Sequence, residues 1–251
     1  MLLETNNIGI TFGGLKALEN ISIKVDDNEL VGLIGPNGAG KTTLFNLLTG
    51  VYIQKDGKIS LNNIDITQKK PFERARVGIS RTFQNIRLFK DLTCLDNIKI
   101  AYQNGTNYSN FDAIFRTKKF KNEEEKKNKK ALELLEIFDM KILAEQKAQS
   151  LSYGQQRRLE IARAIATNPK ILLLDEPAAG MNPKETLELM EIIQIIREKF
   201  KVAVLLIEHD MKLVMGICEK IYVLNFGRLI ASGTPQEIQN NSDVIKAYLG
   251  E

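Results

Sequence analysis

LVGLIGPNGAGKTTLFNLLTG, residues 30–50, joins an apolar strand, a glycine-rich loop and an apolar helix without a break. The loop Gly35-Pro36-Asn37-Gly38-Ala39-Gly40-Lys41-Thr42 fits G-x-x-x-x-G-K-S/T in the strand–loop–helix setting that gives this pattern its meaning. The chemistry needs those residue types. Gly35, Gly38 and Gly40 permit a tight turn whose N–H groups converge on phosphate oxygens, backed by a helix N-terminus. Lys41 offers a point charge to β- and γ-phosphates, the Thr42 hydroxyl can bind magnesium, and Thr43 adds a donor near an α-phosphate. Pro36, Asn37 and Ala39 complete the run expected to bind nucleotide.

Further runs of the same kind follow along the chain: KILLLD (170–175), VAVLLI (202–207) and KIYVL (220–224), with ISIKV (21–25) before the loop. ILLL and VAVLLI are continuously apolar, which predicts strands covered on both faces, as in a parallel sheet flanked by helices. Helices are expected over 41–49, 152–167 and 183–199. Asn182-Pro183-Lys184-Glu185 and Thr234-Pro235-Gln236-Glu237 each read as a helix start with a capping residue, a first-turn proline and a glutamate reaching back. FGRLIASG (226–233) reads as a glycine-turned hairpin with a short strand.

KILLLDEP ends in adjacent carboxylates at the strand edge where α/β sheets bind ligands. Asp175 is placed to orient magnesium through water, and Glu176 to take a proton from an attacking water. His209, the single histidine, ends the VAVLLI run, from which it can reach a γ-phosphate oxygen and the water. Gln84 stands among the apolar and aromatic Phe83, Ile86, Leu88 and Phe89.

Composition sets bounds around this centre. With 251 residues, 43% hydrophobic and 26% charged, the chain is an ordinary globular protein with ample material for a core. A net charge of +4 is too small to argue for a nucleic-acid partner. Cys94 and Cys218 lie far apart with no C-x-x-C spacing, and are expected to pack as reduced thiols. MLLETNN shows no basic region before an apolar stretch, which speaks against a secretory leader. VAVLLI, the longest apolar run, falls far short of the roughly 20 residues of a membrane helix. A soluble intracellular protein is expected.

From about 94 to 150 the strand signal fades, predicting a helical insertion in an α/β core. Within it KKFKNEEEKKNKK (118–130) reads as a solvated helix face or loop, or else as a tract drawn to anionic lipid head groups. Next comes LSYGQQRRLEIARA (151–164). Ser152 can cap a helix, Gln155 completes a capping box, and Gly154 permits close approach to the backbone, so this helix start resembles a second anion site without a lysine.

The order phosphate loop, Gln84, LSYGQ, ILLLDEP, His209 resembles the ATP-binding cassette ATPases over essentially the whole chain. That resemblance implies a parallel-sheet core with an N-terminal antiparallel β subdomain, and a helical subdomain at about 93–155 between core segments at about 1–92 and 156–251. It implies that Phe12 stacks on adenine, that Ala17 packs on the nucleotide, and that Gln84 touches magnesium and a transmembrane partner. His209 becomes a γ-phosphate sensor. RTFQNIRLF, LSYGQQRRLEIARA and LLLDEPAAGMNPKET together are similar to the larger ATPase subunit of branched-chain amino-acid importers. Tyr153 stands where most cassettes have glycine, and Asn182 where most have aspartate.

The resemblance also explains the missing lysine. In cassettes arranged head to tail, Ser152, Tyr153, Gly154 and Gln155 would meet ATP held by the partner's phosphate loop. It implies ATP and magnesium as cofactors, and a second cassette, whether a copy or a sister ATPase. It also implies transmembrane permease subunits gripping a groove near Gln84–Leu92 at the cytoplasmic face of the membrane. An extracytoplasmic binding protein would act only indirectly. Other cargo (urea, a lipid) and, further off, a non-transport cassette acting on nucleic acid or ribosomes remain open alternatives.

Overall fold

A computed structural model describes residues 1–102 and 109–249. The expected helical insertion therefore includes a stretch, 103–108, outside the described residues. The first half of the chain runs β1 (Leu3–Asn6), β2 (Ile8–Phe12), β3 (Leu15–Ile21), β4 (Lys24–Val25), β5 (Leu30–Ile34), α1 (Lys41–Leu48), β6 (Lys58–Leu61), β7 (Ile64–Asp65), α2 (Pro71–Val77), β8 (Ile79–Arg81) and α3 (Cys94–Ala101). The rest runs α4 (Asn110–Ile114), α5 (Lys118–Ile137), α6 (Tyr153–Ala166), β9 (Ile171–Asp175), α7 (Pro183–Phe200), β10 (Ala203–Ile207), α8 (Met211–Ile217), β11 (Lys220–Asn225), β12 (Arg228–Gly233), α9 (Pro235–Gln239) and α10 (Ser242–Leu249).

By contact the chain forms two compact units. The first holds Met1–Gln84, Pro169–Ala179 and Ile193–Glu251. Its main sheet, among the described residues, has the order β12-β11-β5-β10-β9-β8. All pairings from β11 to β8 are parallel, and β12 folds back antiparallel as a hairpin through Gly227. Every residue of β5, β9 and β10 is buried, which is why these strands read as unbroken apolar runs. Two antiparallel sheets, β4-β1-β6-β7 and β2-β3, make up the N-terminal part.

ISIKV (21–25), expected as one strand, is split. Ile21 ends β3 opposite Ile8, and Lys24–Val25 form β4 against β1. Ile21, Ile23 and Val25 are all buried, so the alternation was real. Period-two patterning gives the buried face of a chain, not the sheet it joins, and here the chain changes sheets in mid-run.

The second unit holds Asn85–Asn168 and Gly180–Ile192. The helical subdomain that the resemblance implies at about 93–155 falls within this unit, which also takes in the rest of α6, packed on α3 and α5. Leu159, Ile161 and Ala162 of α6 are buried with Ile98 of α3 and Ala131, Leu134 and Leu135 of α5. The lysine-rich tract forms the first turns of α5, with its exposed lysines on the polar side. Both thiols are free and buried, and burial pushes Cys94 up to about 11 and Cys218 up to about 12, as expected of inert packing groups.

Candidate functional site

The phosphate loop leaves the end of β5 and closes onto α1. At Gly35, with φ 150°, a Cβ would stand 2.0 Å from the Leu224 carbonyl oxygen. At Gly40, with φ 105°, it would stand 2.7 Å from Leu18 Cδ2 and 3.0 Å from the Ala17 carbonyl oxygen. Ala17 thus touches the loop through its backbone. Gly40 caps α1 in the left-handed region and, as a glycine, makes no side-chain cap bond to the first N–H groups of that helix. The Lys41 ammonium is buried over its own loop, donating to the carbonyls of Gly35 (2.6 Å) and Pro36 (3.0 Å). Burial lowers its proton affinity, and the nearby Glu176 and Asp175 carboxylates work against that.

The end of β9 supplies the acids. Asp175 is buried, and its Oδ2 accepts from Arg81 Nη2 at 2.7 Å. Arg81 also donates to Asn46 Oδ1 at 2.7 Å, and its guanidinium lies over the rings of Phe45 and Phe83. Glu176 is held at φ 45°, a region that non-glycine residues seldom occupy, with its N–H donating to the Ile207 carbonyl at 2.9 Å. That bond ties it to the neighbouring strand β10. Gln84 Nε2 donates to Glu176 Oε2 at 2.9 Å. The structure therefore brings Lys41, Asp175, Glu176 and Gln84 together.

His209, just past β10, is exposed, and its Nδ1 lies 3.7 Å from Oε2 of the buried Glu208. Glu208 Oε1 accepts from the Ala178 N–H at 2.9 Å and Oε2 from the His209 N–H at 3.2 Å. Burial raises the Glu208 pKa against those bonds and the charge of His209, while Glu176 adds to the rise. Phe12 is half exposed and meets Tyr52 edge-on at 5.1 Å between ring centroids. An aromatic face is thereby held at the end of β2, as adenine stacking needs.

These residues fit a nucleotide and its magnesium. The loop glycines stand where a side chain would clash or strain, the α1 N-cap is a glycine with no side-chain cap bond, and a lysine sits over the loop. Thr42, Gln84 and Asp175 offer only oxygen ligands, the set magnesium prefers when phosphates complete its shell. Among the described residues no cluster of three or more His, Cys, Asp or Glu forms a self-sufficient metal cage.

Ser152–Gln155 lie in the second unit. The capping box is formed: Ser152 Oγ accepts from the Gln155 N–H at 3.3 Å, and Gln155 Oε1 from the Ser152 N–H at 3.0 Å. Close approach at Gly154 is made within the chain by Glu185, whose Oε1 would be 3.0 Å from an added Cβ. Glu185 in turn forms a reciprocal box with Asn182, so the asparagine does cap α7. The Tyr153 ring packs against Gly180, and its hydroxyl accepts from Arg157 Nη2 at 3.3 Å.

Three site residues went unread in the sequence. Arg81 neutralises Asp175 from β8, a three-residue strand too short for periodicity to reveal. Glu208 carries the one available signal, a carboxylate directly after five buried residues of β10. Tyr248, on α10, lies beside the Gly35 backbone: burial raises its pKa, and the Gly35 backbone partly offsets that rise.

The family model described as ABC transporter matches residues 18–179, and that of the branched-chain amino acid ATP-binding cassette transporter matches 228–251. The chain is 48% identical over 250 residues to the high-affinity branched-chain amino acid transport ATP-binding protein LivG of Salmonella typhimurium, covering 100% of this chain and 98% of that one. Among solved structures it superposes on the ADP conformation of MJ1267, an ATP-binding cassette of an ABC transporter, with TM-score 0.86 and 35% identity over 100% and 99% of the two chains. It also superposes on the dimeric post-hydrolysis state of the cassette MJ0796 bound to ADP and Pi, with TM-score 0.77 and 26% identity over 93% and 99%.

Proposed function

Since the chain belongs to the ABC transporter ATPases, we propose that it hydrolyses ATP as the cassette subunit of an importer for branched-chain amino acids. The observation that carries this reading is the 48% identity to LivG along the entire chain, supported by the proximity of Lys41, Asp175, Glu176 and Gln84. The lipid alternative rests on the lower identity of 36%, to the lipopolysaccharide export system ATP-binding protein LptB of Haemophilus influenzae.

The chemistry follows from the groups in place. Glu176, fixed by Ile207 and Gln84, accepts the proton of a water attacking the γ-phosphorus. Lys41 leaves its loop carbonyls to meet the β- and γ-phosphates, and the α1 N–H groups bind the phosphate oxygens. His209 senses the γ-phosphate from the end of β10. Thr42, Gln84 and Asp175 would hold magnesium, which when bound neutralises charge on the phosphates. Phe12 and Ala17 receive the nucleoside.

Ser152, Tyr153, Gly154 and Gln155 serve the ATP of a facing cassette, a copy or a sister, so that ATP joins the pair and hydrolysis parts it. Permease subunits at the cytoplasmic face of the membrane receive the motion through apolar residues near Phe89, whose ring is half exposed beneath Arg163. Among the described residues no helix is long and apolar enough to cross a membrane. The direct test is ATP-dependent leucine uptake by vesicles reconstituted with this chain and its permease. Uptake of urea or lipid but not leucine would overturn the cargo.

A further inference from the structure

The nucleotide site leaves one feature of the second unit unused. Helix α4 exposes Phe111 (64%), Ile114 (76%) and, at its C-terminus, Phe115 (65%). Their i, i+3, i+4 spacing sets them on one face, and the two phenylalanine rings meet at a tilt with centroids 4.4 Å apart. Three large apolar side chains held together in water call for a covering surface.

The flanking charge says which. Between Phe111 and Lys121 stand Arg116, Lys118, Lys119 and Lys121, against Asp112 alone. Asp112 is turned inward to the corner between α4 and α5: it accepts from the Ser109 N–H and hydroxyl and from the Thr117 hydroxyl. Arg116, with φ 46°, forms the sharp bend between the helices, and it and the three lysines are exposed. Protein interfaces are poor in lysine at their centres. An aromatic knob ringed by cations instead matches the boundary between acyl chains and anionic head groups.

We propose that this knob docks directly on anionic phospholipid, with Phe111, Ile114 and Phe115 entering the head-group boundary and Arg116, Lys118, Lys119 and Lys121 pairing with lipid phosphates. The contact would hold the helical unit at the bilayer apart from any grip by a permease. It requires neither permease nor cargo, so it stands or fails separately from the transport reading.

The test uses the full chain and extruded vesicles of phosphatidylcholine, with or without phosphatidylglycerol. The chain has no tryptophan, so Phe115→Trp places a single reporter in the knob. Its emission should shift to the blue with phosphatidylglycerol vesicles and stay put with phosphatidylcholine alone. Leu187→Trp, 61% exposed on α7, should not respond to either. In co-sedimentation, Lys118→Gln/Lys119→Gln/Lys121→Gln should weaken binding at least about tenfold and leave basal ATP hydrolysis unchanged. Phe111→Ser/Ile114→Ser/Phe115→Ser should lose it too, with an unaltered melting curve. Equal binding to both vesicle types, no binding, or indifference to the lysine change overturns the proposal. So does loss of permease binding in the serine variant while vesicle binding persists, which would make the knob a protein interface.

Discussion

Arg81 Nη2 lies 2.7 Å from Asp175 Oδ2, and neither side chain is more than 6% exposed. A carboxylate proposed to hold magnesium is thus already neutralised by an arginine that also reaches Asn46 on α1. Removing one partner of a buried pair leaves an uncompensated charge and costs about 3 kcal/mol or more, whereas removing both is often close to neutral. Arg81→Met should therefore melt well below the parent in EDTA, by about 10 °C for a chain of this size. Arg81→Met/Asp175→Asn should recover most of the loss. Equal melting of Arg81→Met and the parent would show that the pair does not matter to stability.

Glu176→Gln keeps the size of the side chain and can still bond Gln84, yet it cannot take a proton. Nucleotide affinity should stay near that of the parent while kcat falls by about 10²–10⁴-fold, as expected for loss of a general base. Gln84→Ala tests the positioning half of the idea. It frees Glu176 Oε2 from its 2.9 Å bond and should reduce kcat less than Glu176→Gln does, without moving the stability midpoint. If Glu176→Gln turns over like the parent, the base lies elsewhere.

Much of the candidate site was legible because its elements are continuous in sequence. The loop from Gly35 to Thr43 and the Asp175–Glu176 pair each lie next to a strand whose unbroken apolar character marks it as buried. What stayed hidden depends on contacts between distant segments. Arg81 meets Asp175 across 94 positions, and Tyr248 meets Gly35 from the other end of the chain. Neither has a local pattern. The Phe111–Phe115 knob was missed for a different reason: at helical spacing its residues look like one more core stripe, and only their exposure shows otherwise.

Glu208 provides a pH test with a defined sign. Burial raises its folded pKa above that of the unfolded chain, so in the window between the two values the native state holds a proton that the unfolded state has released. Stability from this group is therefore fully present below the ordinary carboxylate value and declines as pH rises through the folded one. Glu208→Gln removes the desolvated charge at the price of one acceptor, a constant offset. Relative to the parent, the variant's urea midpoint should be more favourable at pH 8 than at pH 5. A difference that does not change with pH, or that is largest at pH 5, would show that burial does not raise the Glu208 pKa.

Ser152 has two candidate roles that a single substitution can separate. As a cap it accepts the Gln155 N–H, and Ser152→Ala should cost about 1 kcal/mol in a urea melt of the isolated chain. As a sensor it would touch the γ-phosphate of ATP bound to a facing cassette. Ser152→Asp keeps the capping oxygen and suits the positive end of α6, so the isolated chain should be as stable as the parent. Placed against a phosphate, the same carboxylate is repelled. In a Glu176→Gln background, where ATP persists, size-exclusion chromatography should show ATP-dependent pairing with the facing cassette for Ser152 and none for Ser152→Asp. Pairing that survives the aspartate would reduce Ser152 to a cap and leave the second anion site without a function.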